Sequence, residues 1–248
     1  MFLKVIACEI AFREICSVAA RSKNLVDFDF LSQGYHDNPD IGRTRIQEWI
    51  DAVEPGKFDA ILLGYGLCNN MLVGIVARDL PLIIPRAHDC ITFFLGSKER
   101  YSEHFFAHPG TYYYTSGWIE HRSRGGERVP KMQNSGLGRE FTYQQLVEEY
   151  GEENAKYLME VMGGWRNHYT HGTLIDYDFT KHLNLQSHVC EICRQNGWTY
   201  EQLEGDLCLL RRWIDGEWEE EDFLVIPPGQ SIVATYDDRI ISHKENPL

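Results

Sequence analysis

The chain contains 248 residues, of which 43% are apolar and 25% are charged, and its formal net charge is -13 at pH 7. These values are typical of a globular protein large enough to bury a sizeable core. The acidic balance argues against a nucleic-acid groove and against an anionic-membrane surface. The sequence offers neither the roughly 20 apolar residues of a membrane span nor the basic start of a signal peptide. We therefore expect a cytoplasmic protein.

The first 110 residues alternate between strand and helix patterns at short intervals. Apolar runs predict strands, and spacings of three and four residues predict helices, with Asp40 as the expected N-cap of the second helix. In chain order we predict strand 3–7, helix 10–21, strand 26–31, helix 41–53, strand 59–64, helix 71–78, strand 80–85 and helix 90–105.

The second half of the chain, from residue 111 to 248, has a different character. Its aromatic strand at 109–115 precedes a long loop near 116–138 that is rich in Gly, Arg and Ser, and long loops are often functional. We then predict helix 142–162, strand 171–177, helix 181–195, a helical segment at 203–214 and a hairpin of strands 223–228 and 231–235.

Alternating strands and helices predict βαβ units and a parallel sheet. We expect one α/β domain over residues 1–248, with a doubly wound, mainly parallel sheet and a C-terminal helical and hairpin elaboration.

Cysteines follow three of the predicted strands. Cys8 ends the first strand, Cys68 comes shortly after the strand at 59–64, and Cys90 comes shortly after the strand at 80–85. If these strands are parallel neighbours, the three thiols meet at the carboxyl edge of one sheet, where such folds bind ligands. With His88 they form a Cys3His set that suits zinc, and an iron–sulfur cluster is the alternative. Buried cysteines also serve as small apolar side chains.

The segment around Cys90 is the most informative piece of local sequence. In His88-Asp89-Cys90 an imidazole and a thiol stand two residues apart, so both can bind one ion. We predict that Asp89 is a base or hydrogen-bonds a metal ligand. Arg86 is predicted to bind an anionic substrate or to lower a thiol pKa.

The glycine-containing turn at 64–70 follows a strand. We predict that Tyr65, Asn69 and Asn70 bind the substrate, since glycines here let a ligand approach the backbone. The turn does not match a dinucleotide fingerprint. It also resembles a nucleophile elbow, so the alternative is that Cys68 is a catalytic thiol nucleophile.

The other cysteines carry weaker signals. Without an export signal all seven are expected to be reduced. Cys16 and Cys208 lie in apolar patterns and are interpreted as core residues. Cys190 and Cys193 share one face of a predicted helix, so they could supply two ligands, although structural packing is the preferred interpretation.

The segments that carry the cysteine motifs resemble the bacterial and archaeal family called domain of unknown function 1638. The similarity rests on residues 64–68 and 85–90, and further on 95–97, 109–112, 204–207 and 227–229. The resemblance implies proteins of anaerobes, often encoded beside corrinoid-dependent methyltransferases, and therefore one-carbon chemistry. His-x-Cys followed by a distant cysteine, here Cys190 or Cys193, is also similar to the zinc motif of thiol-activating methyltransferases, which have a barrel fold.

The sequence thus predicts a zinc-dependent enzyme of methyl-group or one-carbon transfer. Its partner would be a small-molecule substrate or a corrinoid protein, and neither nucleic acid nor a membrane is expected. A non-catalytic metal or corrinoid accessory protein and an iron–sulfur protein are the alternatives. A homodimer is suggested only by the general prevalence of such assemblies.

Overall fold

A computed structural model describes residues 1–122, 169–235 and 237–245. The strands in these ranges are β1 (Phe2–Cys8), β2 (Leu25–Leu31), β3 (Ala60–Gly64), β4 (Leu82–Pro85), β5 (Thr111–Tyr114), β6 (His171–Asp176), β7 (Thr199–Glu204), β8 (Phe223–Ile226), β9 (Gln230–Ala234) and β10 (Ile241–Glu245). The α-helices are α1 (Phe12–Ala19), α2 (Pro39–Asp51), α3 (Ile91–Leu95), α4 (Lys98–Ala107), α5 (Ser116–Arg122), α6 (Leu185–Asn196) and α7 (Cys208–Asp215).

The main sheet has the strand order β2-β1-β3-β4-β8. Its first four strands are parallel, and β8 is antiparallel to β4. From β1 the chain moves to β2 on one side and later to β3 on the other. The carboxyl ends of β1 and β3 therefore flank a topological switch point, the usual ligand position in open α/β sheets. The expected α/β fold with a mainly parallel sheet is confirmed.

The central strands are buried almost throughout, which explains their continuous apolar sequences. The fully buried Trp213 of α7 lies against them, and its indole N–H donates to the carbonyl of Ile83 at 3.2 Å. Gly64 permits this packing, because a Cβ there would lie 3.1 Å from the Trp213 ring and 2.6 Å from the Cβ of Ala7. Close packing thus fixes the end of β3 against β1.

A second parallel sheet has the order β5-β6-β7. One of its faces packs against α6 through a small apolar cluster that includes Leu174, Val189 and Cys193. On the opposite face, Tyr113 and Ile175 belong to the main core. The second sheet is therefore attached to the body of the protein by the face that α6 does not cover.

The predicted helix at 71–78 is wrong. Cys68, Asn69 and Asn70 all have positive φ, as does Gly74, so a right-handed helix does not start here. The segment instead runs beside β9, where the Gly74 N–H donates to Ile232 O and the Ala77 N–H donates to Gln230 O, both at 2.9 Å. Tertiary pairing replaces the local helical pattern.

Some helix boundaries differ from the predicted ones because of single residues at the helix ends. The helix expected at 90–105 is divided into α3 and α4 at Gly96, whose φ is +82°. Asn38, not Asp40, caps α2, because its side chain accepts from the Ile41 N–H and Pro39 occupies the first turn. A short 3-10 helix, Lys181–Leu183, precedes α6, which ends as expected at Gly197.

The C-terminal part contains a hairpin, but not the expected one. The strand predicted at 223–228 is β8, which pairs with β4 and not with β9. The hairpin consists of β9 and β10. The helical segment expected at 203–214 contains the end of β7, a strand that the prediction missed, and then α7. These pairings depend on distant partners, which local sequence patterns do not specify.

The region after β5 is only partly described. Residues 116–122 form α5 and not the start of a loop. The rest of the loop predicted near 116–138 and the helix predicted at 142–162 lie outside the described residues. A single domain over 1–248 stays a prediction. None of the helices described here has the length and apolar character that crossing a membrane requires.

The fully buried Glu14 of α1 makes stability depend on pH. Its Oε1 accepts from Ser116, whereas Oε2 has no hydrogen-bond partner among the described residues, and burial raises the pKa of Glu14 to about 7. In the unfolded chain this carboxyl group ionises near pH 4.5. The folded state therefore loses stability as the pH rises from 4.5 through 7. We expect the free energy of unfolding of Glu14→Gln to equal that of the wild type near pH 4.5 and to be greater by roughly 3 kcal/mol at pH 8.

Urea denaturation across this pH range measures the difference. A constant difference for Glu14→Gln would contradict the prediction.

Candidate metal centre at the carboxyl edge of the sheet

The three predicted cysteine ligands lie at the carboxyl ends of three adjacent strands. Cys8 is the last residue of β1, Cys68 follows β3 by four residues, and Cys90 lies five residues after β4, directly before α3. Cys8 and Cys90 are buried and Cys68 is partly exposed. Because β1, β3 and β4 are neighbours in the sheet, the fold brings these thiols, the thiol cluster, to one edge at the switch point.

Backbone contacts hold the turns after β3 and β4 side by side. The Leu67 N–H donates to Ala87 O at 2.8 Å, and the Cys68 N–H donates to His88 O at 3.0 Å. Gly66 permits this contact, because a Cβ there would lie 2.7 Å from the Cα of Asp89. The positions of Cys68 and Cys90 are thus fixed by the same pair of turns.

The turn after β3 has an unusual backbone. Cys68, Asn69 and Asn70 have φ values of +43°, +55° and +62°. Each residue other than glycine in this region costs roughly 1–2 kcal/mol, with Asn tolerating it best, and such strain clusters at functional sites. The two asparagines, which we predicted to bind substrate, are exposed beside the partly exposed Cys68.

Negative charges surround the thiol cluster. Burial raises the pKa of the Cys8 thiol to about 12, and the nearby Glu9 carboxylate adds to the rise. Burial also raises the pKa of Cys68, with Cys8 and Asp89 acting in the same direction. For Cys90, burial comes first, followed by Asp89 and the other two thiols, and the pKa rises well above its usual range. The three thiols therefore influence one another and stay protonated at neutral pH unless a cation joins them.

The predicted four-ligand set is not assembled as a tight group. In the described part of the chain, the three Sγ atoms do not all lie within 4.8 Å of one another, so side-chain rotation would have to bring them to a shared ion. His88 is exposed, and its backbone carbonyl is what contacts Cys68. Its role as a ligand stays a prediction.

The carboxyl group of Asp89 lies between the thiol cluster and α4. Its Oδ1 accepts from the Ile91 N–H at 2.9 Å, and its Oδ2 accepts from the Tyr101 hydroxyl at 2.8 Å. Burial raises the pKa of Asp89, while the bonds from Tyr101 and Ile91 oppose the rise. This geometry suits a group that holds a fixed orientation beside Cys90.

An acid–base pair that the sequence did not reveal lies beside Cys8. Glu9 is buried, and its Oε2 lies 3.2 Å from Nδ1 of His121 in α5. The charge of Glu9 also affects the buried Tyr65, whose pKa is raised well above its usual value, first by burial and then by Cys8 and Cys68. No local signal identifies His121, since 112 residues separate it from Glu9.

Arg86 has a different environment from the one that we predicted. Its buried guanidinium donates to three backbone carbonyls, those of Glu220 at 2.7 Å, Arg239 at 2.9 Å and Ile241. These contacts join the end of β4 to the C-terminal segments. Arg86 therefore has a structural role at the end of β4.

The remaining cysteines are distributed through the fold. The Cys193 thiol of α6 contacts Gly172 O of the second sheet at 3.7 Å, and Cys190 lies on the same helix. The Cys208 thiol contacts Gly96 O at 3.2 Å, and Cys16 is half-buried in α1. No disulfide joins the seven cysteines, all of which the structure describes. Cys193 and Cys208 thus act in packing.

The fold and the site define an α/β protein with a thiol cluster at the switch point of a mainly parallel sheet. The chain belongs to the family described as protein of unknown function (DUF1638), which matches residues 30–214. Neither a curated protein nor a solved structure matches the chain.

We expect Gly66→Ala to lower the free energy of unfolding by about 2 kcal/mol, because the added methyl group overlaps the backbone of Asp89. The turns should separate, so Cys68 should react faster with a thiol reagent. Urea denaturation and thiol-labelling rates measure these effects.

The control is Gly56→Ala, which places a methyl group in open space at a φ of +77°. It should cost about 1 kcal/mol and leave labelling unchanged. Wild-type stability of Gly66→Ala would show that the close approach is unimportant.

Arg86→Gln should lower the free energy of unfolding by about 3 kcal/mol or more, because several buried carbonyls lose a charged donor. Arg78→Gln, which breaks only an exposed pair with Asp51, should cost less than about 1 kcal/mol. Equal stabilities of the two variants by urea denaturation would refute this structural role.

Proposed function

We propose that the chain is a cytoplasmic, zinc-dependent enzyme of group transfer, with Cys8, Cys68 and Cys90 as the metal ligands. The observation that carries the proposal is the arrival of three thiols from three neighbouring strands at the switch point. Thiolates favour zinc and iron–sulfur clusters over hard cations, and a ligand position at a switch point suits an enzyme.

The electrostatics favour a metal centre over a free thiolate nucleophile. A reactive cysteine needs a positive neighbour that lowers its pKa. Cys68 instead has Asp89 and the thiol of Cys8 beside it, and both raise its pKa. The guanidinium of Arg86 is bound to backbone carbonyls elsewhere. A bound divalent cation would balance this concentration of negative charge.

The surrounding residues have roles that follow from their positions. A bound zinc ion would lower the pKa of a coordinated thiol or water and so supply a nucleophile at neutral pH. Asp89, held by Tyr101 and the Ile91 N–H, can accept a proton or orient a ligand beside Cys90. The exposed Asn69 and Asn70 offer amide groups to a substrate at the open side of the turn. His88 would provide the fourth ligand or leave that position to the substrate.

The reaction that we propose is transfer of a methyl group or a related one-carbon unit. Its support is the family resemblance, which implies genes beside corrinoid-dependent methyltransferases, together with a ligand set suited to thiol activation. The partner is then a small-molecule substrate or a corrinoid protein.

Metal analysis of protein purified without oxygen tests the proposal. We expect about one zinc per chain at the thiol cluster, and loss of that zinc in Cys68→Ser and in Cys90→Ser. Cys16→Ser is the matched control, since Cys16 lies in α1 away from the strand ends, and it should keep the metal. Elemental analysis and the absorption spectrum give the readout.

The other outcomes identify the alternatives. Visible thiolate–iron absorption with iron and sulfide in the sample would replace zinc by an iron–sulfur cluster. Zinc binding without methyl transfer to or from a corrinoid protein would favour an accessory protein. Metal content that Cys68→Ser and Cys90→Ser leave unchanged would refute the thiol cluster as the site.

A further inference from the structure

The face of the second sheet that meets α4 carries a row of polar side chains. Tyr113 of β5 pairs with Thr173 of β6, and Thr173 pairs with Glu201 of β7. Residues that pair across neighbouring strands point to the same face of the sheet, so the three side chains form one row. Thr173 is fully buried and Tyr113 nearly so.

The helix opposite this row contributes two histidines. His104 and His108 are four residues apart, so they lie on the same side of the helix end, and their ring centroids are 5.0 Å apart. Nε2 of His104 lies 2.9 Å from Oε2 of Glu201. One ligand atom from each of His104, His108 and Glu201 lies within 4.8 Å of the other two.

Hydrogen bonds already fix the orientation of two of these residues. Nδ1 of His104 lies 2.6 Å from the Tyr113 hydroxyl, which leaves Nε2 facing Glu201. The hydroxyl of Thr173 donates to Oε2 of Glu201 at 3.1 Å. Metal-binding histidines and carboxylates typically have such supporting partners.

Packing alone does not account for this polar contact. The opposite face of the same sheet meets α6 through apolar side chains, among them Leu174 and Val189. Where α4 meets the sheet, a histidine with a 10% exposed side chain faces a glutamate instead. The rings of His108 and His171 also meet in an edge-to-face arrangement with centroids 5.2 Å apart, so a third imidazole lies beside the group.

We propose that His104, His108 and Glu201 form a second metal site, for a divalent transition metal such as zinc. Two imidazoles and a carboxylate are a known zinc set that leaves a fourth position open. Ligand atoms at about 2.1 Å from a tetrahedral ion stand roughly 3.4 Å apart, so His104 and Glu201 need to separate by only about half an ångström. This site contains no thiol and does not depend on the proposed function of the thiol cluster.

Cobalt titration of the full-length, metal-stripped, reduced protein separates the two sites. Cobalt bound by thiolates gives intense near-ultraviolet charge-transfer absorption, whereas cobalt bound by imidazole and carboxylate gives only weaker visible bands. We expect one equivalent of cobalt to bind without charge-transfer absorption and to be displaced by added zinc. His108→Gln should weaken its affinity by about 100-fold or more, and Tyr113→Phe by about tenfold, while the charge-transfer signal stays unchanged in both variants.

Two further variants keep the test decisive. The exposed His182→Gln should bind cobalt as the wild type does. Glu201→Gln replaces His108→Gln if that variant does not fold by circular dichroism. The proposal is overturned if all the cobalt that the wild type binds gives charge-transfer absorption, or if the ligand variants bind cobalt with wild-type affinity. Failure of the thiol cluster would instead remove the charge-transfer signal and leave the second site intact.

Discussion

The contact between the two turns that follow β3 and β4 is the constraint on which the candidate site depends. Two backbone hydrogen bonds and the close approach at Gly66 place one turn against the other. Since β1 lies on the other side of β3, the same contact brings Cys68 and Cys90 towards Cys8. The left-handed backbone at residues 68–70 begins at Cys68, whose N–H makes one of these two bonds.

The chemistry of the thiol cluster follows from several acidic groups that are buried close together. Cys8, Cys68 and Cys90 are weak acids, and Glu9 and Asp89 are stronger ones. Burial disfavours every charged form, and each negative charge disfavours the next. A cation relieves both penalties, which is the physical basis for proposing a metal here.

Asp89 also links the thiol cluster to the polar contact below α4. Its carboxylate accepts from Tyr101, and the ring of Tyr101 meets the ring of Tyr113 edge-on, with centroids 5.6 Å apart. Burial raises the pKa of Tyr113, and the charges of Asp89 and Glu201 raise it further. Tyr113 therefore lies within the electrostatic influence of both groups, and its hydroxyl contacts His104. A chain of side-chain contacts therefore connects Asp89 to His104 through Tyr101 and Tyr113.

Local sequence patterns were enough to predict strands β1 to β4, the parallel sheet and the position of three cysteines after strand ends. Continuous apolar runs predict the central strands β1, β3 and β4, and alternation of apolar and polar residues predicts the edge strand β2. Both patterns are local. The family resemblance was likewise contained in local motifs, and the family match supports it.

The contacts between distant side chains follow from the folded arrangement and not from local sequence. The contact between Glu9 and His121, the environment of Arg86 and the group formed by His104, His108 and Glu201 each join residues far apart in the chain. The segment at 71–78 has a helical pattern, yet it pairs with β9, because hydrogen bonds to a distant strand outweigh a weak local preference. Strand register and helix docking set these contacts, and a single sequence carries no local signal for either.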